Sequence, residues 1–255
     1  MLAKAPSLPA DEVIVDLEDA VAADGKEQAR ALAADVLRRG PLARTTALRV
    51  NGRSTPWWED DLRAAAKARP DVVVLPKVES PEDVSAAAEL LPEGIGLEAQ
   101  IESARGLVEA ERIAAGNDRL EALVFGPADL AASLGVPVLT IGAGSSDYAL
   151  AHVVAAARSC GLQALDGPHA RLRDDLGLVV SARRALEHGY EGKWVIHPSQ
   201  IEPVNRIFTP SPADIERAKR ILEAATGAAR FEGELVDEAS RKLAESLLRR
   251  AEVLG

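Results

Sequence analysis

The 255-residue sequence holds a single cysteine, Cys160, which excludes an internal disulfide. Such cysteine usage fits a reducing compartment, and a cytoplasmic protein is the expectation. Aromatic residues are scarce at 3%, so the core has to be built from Ala, Val, Leu and Ile. Positive charge is short as well: 30 Lys plus Arg stand against 40 Asp plus Glu, a formal net charge of −10. General nucleic-acid binding needs clustered cations to neutralise phosphates, so no nucleic-acid partner is expected. A local basic pocket holding a polyanionic ligand is still compatible with that balance. No window approaches the roughly 20 apolar residues of a spanning helix. Residues 1–11 carry one Lys and no apolar stretch of signal length, so no membrane partner is expected either. There is no His/Cys cluster of the kind that binds zinc.

Hydrophobic residues at 47% and charged residues at 27% describe a folded chain with a real core. Short apolar runs alternate with longer Ala/Leu/Arg/Glu segments. The runs are Val13-Ile14-Val15, Ala47-Leu48-Arg49-Val50, Val72-Val73-Val74-Leu75, Ile95-Gly96-Leu97-Glu98, Ala122-Leu123-Val124-Phe125, Leu162-Gln163-Ala164-Leu165 and Trp194-Val195-Ile196. The segments between them repeat apolar residues at helical steps, as in Ala29, Leu32, Val36 and Leu37. Seven strand candidates separated by helices read as successive βα units on a parallel, buried sheet. Pro210 and Pro212 mark a change, after which helical segments over about 213–226 and 237–253 follow with no strand pattern. The expected organisation is a (β/α) barrel domain over 1–209 and a C-terminal helical extension over 210–255.

Seven units are one short of an eight-stranded barrel, and a doubly wound sheet is the alternative. Polar residues follow strand after strand: Asp16, Glu18 and Asp19; Arg49 and Asn51; Pro76, Lys77 and Glu79; Glu98, Gln100 and Glu102; Gly126 and Asp129; Asp166; His197 and Pro198. In a barrel these strand ends converge on one mouth, whereas in an open sheet they spread along an edge. Convergence favours the barrel. Arg49 and Lys77 among carboxylates describe a mixed-charge pocket, and a salt-bridge network at the barrel rim is the bland alternative.

Glu102 and Asp129 each stand just after a strand and at the start of a helix. Two carboxylates with room for water suit Mg²⁺, which takes one or two protein carboxylates and keeps several waters. Capping of the following helices accounts for the same residues equally well. Gly142-Ala143-Gly144-Ser145-Ser146 lacks the Lys of a phosphate loop and reads as a mobile loop. Cys160 reads as a packing residue, and Trp57-Trp58 as a pair with one ring packed at a helix start. His152, His169 and His188 sit in no motif.

Seven segments in order resemble one family: Asp16-Leu17-Glu18-Asp19-Ala20-Val21, Leu48-Arg49-Val50-Asn51, Leu75-Pro76-Lys77-Val78-Glu79-Ser80, Ile101-Glu102-Ser103-Ala104-Arg105-Gly106, Phe125-Gly126-Pro127-Ala128-Asp129-Leu130, Ile196-His197-Pro198-Ser199-Gln200-Ile201 and Phe231-Glu232-Gly233-Glu234-Leu235-Val236-Asp237. They are similar to motifs of the citrate lyase beta subunit-like proteins, within the aldolase/citrate lyase superfamily that includes malyl-CoA lyases. The resemblance implies a TIM (β/α)₈-type barrel, a homotrimer, that binds Mg²⁺ and acyl-CoA thioesters. It implies cleavage or formation of the C–C bond between an acetyl-type thioester and a 2-oxo acid. Family members begin with a strand bearing an Arg-Ser start and a Phe-Val-Pro run, so this barrel is expected to lack its first strand. The loop from Gly135 to Tyr148 is shorter than the family's.

Carried over residue by residue, Glu102 and Asp129 match the metal carboxylates, and Arg49 the arginine on the thioester or oxo-acid oxygens. Asp237 matches a carboxylate that reaches the neighbouring subunit's site. Glu18, Asp19 and Lys77 match motif positions expected to bind substrate. The implied chemistry is a retro-Claisen cleavage in which Mg²⁺ on Glu102 and Asp129 chelates the 2-oxo acid. Arg49 would stabilise the enolate and Asp237 would move the proton at the acetyl carbon. Two alternatives keep the same substrates: an acyl-CoA thioesterase, and a non-autonomous citrate lyase beta subunit working with a carrier protein.

Overall fold

The computed structural model describes residues 2–136, 147–224, 229–231 and 234–254. The Gly142–Ser146 run and most of the 135–148 loop lie outside the described residues, as do parts of the 227–233 stretch. The chain forms two compact units, Met1–Glu202 and Pro203–Gly255.

The first unit repeats one motif. Strand β1 (Glu12–Asp16) leads to α1 (Lys26–Arg38), β2 (Thr45–Arg49) to α2 (Trp58–Ala68), and β3 (Val72–Leu75) to α3 (Pro81–Leu90). Strand β4 (Gly96–Ile101) is followed by the short helices α4 (Ala104–Val108) and α5 (Ala110–Ala114), and β5 (Leu120–Phe125) by α6 (Pro127–Ser133) and α7 (Asp147–Ser159). Strand β6 (Gln163–Asp166), helix α8 (Asp175–His188) and the two-residue β7 (Gly192–Lys193) complete the series. The seven strands pair in parallel and in sequence order, with β1 and β7 outermost.

Parallel strands with helices on the outside have little solvent-facing surface. Val72, Val73, Val74 and Leu75 of β3 are accordingly all buried, each worth roughly 1.5–3 kcal/mol of burial. Leu97, Ala99 and Ile101 of β4 are buried likewise, alternating with Glu98, Gln100 and, one residue past the strand, Glu102. Ile14 of β1 and Trp194, just after β7, both pack on Ala47, Val72 and Val74. The two ends of the sheet therefore approach each other, and the sheet is curled into a (β/α) barrel of seven strands.

Punctuation residues set the helix limits. Pro81 opens α3 while the Ser80 N–H bonds Asp83 at 3.0 Å. Asp174 caps α8 by accepting from the Gly177 N–H, and Gly189, at φ 98°, ends it in the left-handed conformation.

Three expectations need correction. The seventh strand is Gly192–Lys193 rather than Trp194-Val195-Ile196, because Trp194 turns into the curled sheet and Ile196 is exposed. Cys160 sits exposed in the turn after α7, its Sγ 3.6 Å from Ser159 Oγ, and is not a buried packing residue. The C-terminal segment is not purely helical. Within the second unit, α9 (Ile201–Phe208, begun two residues earlier), α10 (Pro212–Ala224) and α11 (Glu238–Leu254) accompany an antiparallel ribbon of β8 (Ala229–Phe231) and β9 (Glu234–Val236). Helices α10 and α11 pack together, and the Arg250 guanidinium lies 5.5 Å over the Phe208 ring.

Candidate active site at the strand ends

Arg49 ends β2 opposite Asp16, the last residue of β1. Its Nε donates to Asp16 Oδ1 at 2.8 Å and its Nη2 to Asp16 Oδ2 at 2.6 Å, a two-pronged pairing that fixes the guanidinium plane. Its Nη1 stands 3.0 Å from Glu18 Oε2, 3.4 Å from Gln100 Oε1 and 3.9 Å from the exposed Asp19. The Trp194 ring closes another side, 5.9 Å from the guanidinium carbon. Burial would raise the Asp16 carboxyl, but the Arg49 hydrogen bonds and charge outweigh it and hold Asp16 below its usual range.

Lys77 follows β3 with φ at 53°, left-handed backbone for a residue that is not glycine. That turn points its N–H at Glu102 Oε1, 2.8 Å away, while its side chain reaches back to Glu18 Oε1 at 2.5 Å. Burial pulls the Lys77 ammonium down, but the Glu18 hydrogen bond and charge raise it above its usual value. Lys26, buried, donates to the carbonyls of Leu17 and Glu18 at 2.8 and 2.6 Å and so pins the β1 loop that carries Glu18.

Glu102 is 3% exposed and holds a donor on each carboxylate oxygen, the Lys77 N–H on Oε1 and Gln100 Nε2, at 2.9 Å, on Oε2. Gly126 sits against it: a Cβ there would fall 2.3 Å from Glu102 Cβ and 2.5 Å from its Oε2. Asp129 lies in the first turn of α6, half-buried. Burial first, then the negative charges of Glu18 and Asp129, push the Glu102 carboxyl up to about 8.

The capping alternative for Glu102 is thereby closed. The α4 cap is Ser103, whose Oγ accepts from the Gly106 N–H at 3.0 Å, leaving the Glu102 carboxylate at the mouth. Two acidic groups that repel each other at a buried site, with oxygen donors only, fit a hard divalent cation such as Mg²⁺. Glu102 and Asp129 are the residues that would hold it.

The mouth therefore gathers Asp16, Glu18, Arg49, Lys77, Gln100, Glu102 and Asp129, with Asp19 at its exposed edge. Asn51 does not join them: its N–H and side-chain amide both donate to buried Asp61, at 3.0 and 2.6 Å. Asp166 is paired with Lys193, and the exposed His197 bonds Ser199. Asp237 lies in the second unit, where its Oδ1 accepts from the Ser240 N–H at 3.1 Å at the start of α11. Sequence reasoning missed Trp194 as the Arg49 neighbour and Lys26 as the anchor of the β1 loop. The one available signal was an aromatic residue directly after the last strand.

The family model described as HpcH/HpaI aldolase/citrate lyase matches residues 1–198, and the chain belongs to that family. An L-malyl-CoA/beta-methylmalyl-CoA lyase of Cereibacter sphaeroides is 36% identical over 282 residues, covering 96% of this chain and 89% of that protein. A (3S)-malyl-CoA thioesterase of the same species is 38% identical over 266 residues, covering 100% and 91%. Among solved structures, the protein CitE of Mycobacterium tuberculosis in complex with magnesium, acetoacetate and coenzyme A superposes with a TM-score of 0.80 at 36% identity, covering 98% of this chain and 91% of that one.

Proposed function

We propose that the protein is a Mg²⁺-dependent carbon–carbon lyase that cleaves a short 3-hydroxyacyl-CoA, of malyl, citramalyl or citryl type, to an acetyl-type CoA and a 2-oxo acid. The observation that carries the reading is the fixed Arg49 guanidinium tied through Gln100 to the Glu102 carboxylate. A buried cation and a divalent-metal carboxylate thus share one mouth. The lyase relative and the magnesium–CoA complex of CitE support it.

When bound at Glu102 and Asp129, Mg²⁺ supplies Lewis-acid polarisation of the 2-oxo acid oxygens. Arg49, oriented by Asp16 and shielded by Trp194, offers fixed positive charge to the enolate that departs as the C–C bond breaks. Lys77 and Glu18 form the adjacent wall as an ion pair and contact the substrate's polar groups, with Asp19 at the entrance. The 3-hydroxyl gives up its proton to solvent as the C–C bond breaks, and Asp237, supplied with a proton from solvent, delivers it to the acetyl carbon of the enolate. In this reading the chain is a homotrimer in the cytoplasm, the extension over 210–255 carries Asp237 to a neighbouring barrel, and each site is completed across the interface.

The thioesterase relative, matched over the whole chain, favours one second reading, hydrolysis of the same thioester. Product analysis separates the two. Purified protein with malyl-CoA and Mg²⁺ gives glyoxylate and acetyl-CoA if it is a lyase, and malate with free CoA if it is a thioesterase. No turnover of malyl-, citramalyl- or citryl-CoA would remove both.

A further inference from the structure

Gln100 is 4% exposed and stands on β4 between Glu98 and Glu102. Its side chain touches two residues of the mouth, with Nε2 donating to Glu102 Oε2 at 2.9 Å and Oε1 accepting from Arg49 Nη1 at 3.4 Å. Chemistry dictates the orientation of the amide. A guanidinium only donates, so the amide Oε1 has to face Arg49 and Nε2 is left to donate to Glu102; the opposite rotamer would set donor against donor. Glutamine is the one uncharged side chain of this length that carries both functions, and among the described residues no other side chain bonds both Arg49 and Glu102.

We propose that Gln100 is a positioning residue that holds the Glu102 carboxylate in its metal-binding orientation and couples that orientation to Arg49. The inference rests on the reading of Glu102 and Arg49 as one site and gives Gln100 a role in it. Glu102 Oε1 is held by a backbone N–H, which no side-chain substitution removes, whereas Oε2 depends on Gln100. Without the amide, the carboxylate keeps only its Oε1 hydrogen bond and is less restrained about its terminal torsion, which is broad for Glu. Arg49 would lose the contact on Nη1 that links it to Glu102, keeping Asp16 and Glu18. Outer contacts of this kind ordinarily govern metal affinity by about 10–100-fold.

Gln100→Met tests the role, since methionine keeps the length and fills nearly the same volume but carries no amide; Gln100→Leu is a second apolar variant. Mn²⁺ binding to EDTA-stripped protein, counted by electron paramagnetic resonance, reads the site without turnover. The expected result is Mn²⁺ affinity weakened by about tenfold or more, with kcat on malyl-CoA falling more than KM rises. A Gln100 that merely fills space leaves Mn²⁺ affinity and the kcat of the folded variants within about twofold of wild type, which overturns the assignment. Wild-type protein that binds no Mn²⁺ at millimolar concentration overturns the reading of the site together with its extension. A measurement on the wild-type chain needs no substitution: a Gln side-chain NH₂ signal has to shift when Mg²⁺ is added to glutamine-¹⁵N-labelled protein. No shift of any such signal contradicts the proposal even if both variants fail to fold.

Discussion

Asp16 and Arg49 lie side by side at the ends of β1 and β2 and are joined by two hydrogen bonds of 2.8 and 2.6 Å. The pairing spends the Nε edge of the guanidinium on the scaffold and leaves Nη1 directed at Glu18 and Gln100. Asp16 is therefore a support for Arg49, and its own charge is already satisfied. Neutralising either partner strands the other in a mostly buried position.

Asp16→Ala should cost on the order of 3 kcal/mol of stability, because it leaves a mostly buried guanidinium short of its principal partner. Arg49→Lys keeps the charge but loses the fork, and kcat should fall by about 100-fold or more. Urea unfolding of the first variant and steady-state kinetics of the second check these values.

Glu12, the first residue of β1, meets Glu98 of β4; Glu121 adds negative charge to both and Asp71 adds it to Glu12. Burial first, then those charges, push the Glu12 carboxyl up to about 7, against a lowering hydrogen bond from Glu98; Glu98 is raised as well, by burial first and then by Glu12 and Glu121. Folded pKa values above the unfolded ones mean that the folded state binds more protons. The contribution of Glu12 is complete below about pH 4.5 and is lost as pH rises through about 7, and that of Glu98 is lost in the same direction. Asp16, lowered, works in the opposite sense, and its contribution is lost as pH falls below the ordinary aspartate value of 3.8. Thermal unfolding in EDTA should show the midpoint falling between pH 4.5 and 7, and Glu98→Gln should flatten that slope. A midpoint that climbs across this window would contradict the assignment.

Gly126→Ala should damage the site from a distance of one residue type. The added Cβ falls within 2.5 Å of Glu102 Oε2 and closer still to its Cβ, so the glutamate has to move. Overpacking of this kind costs about 1–3 kcal/mol, and Mn²⁺ affinity should drop by about tenfold. Isothermal titration alongside a melting curve separates the two effects.

Asp237→Ala and Glu102→Ala chains should each be inactive, and oligomers mixed from the two should regain part of the activity. If Asp237 serves only its local contact with Ser240 at the start of α11, Asp237→Ala should keep nearly full turnover. A site completed within one chain gives no rescue on mixing.

The βα order and the strand-end residues were legible because buried parallel strands leave continuous apolar runs such as Val72-Val73-Val74-Leu75. Gln100 was legible with Glu98 and Glu102 at the C-terminal end of one strand. The residual misses have physical causes. Strand β7 spans two residues, Gly192 and Lys193, too few to carry a pattern, so the apolar signal drew attention to Trp194 beyond it. The β8–β9 ribbon has three residues in each strand, again below any detectable period. The Trp194 stacking on Arg49 and the Lys26 anchor both depend on how the sheet curls and how one loop closes, and neither leaves a local mark. Cys160 was misjudged because a helix end exposes residues that helical spacing would bury.

The lyase reading proposed above requires Glu102 to serve a metal-dependent cleavage of the C–C bond. Wild-type and Glu102→Gln proteins, stripped with EDTA, are given malyl-CoA and titrated with Mg²⁺ while glyoxylate is trapped as its phenylhydrazone. The expected result is Mg²⁺-dependent glyoxylate from the wild type and at least a roughly 100-fold smaller rate from a folded Glu102→Gln. Equal rates from the two proteins, or glyoxylate formed at full rate in EDTA, would contradict it.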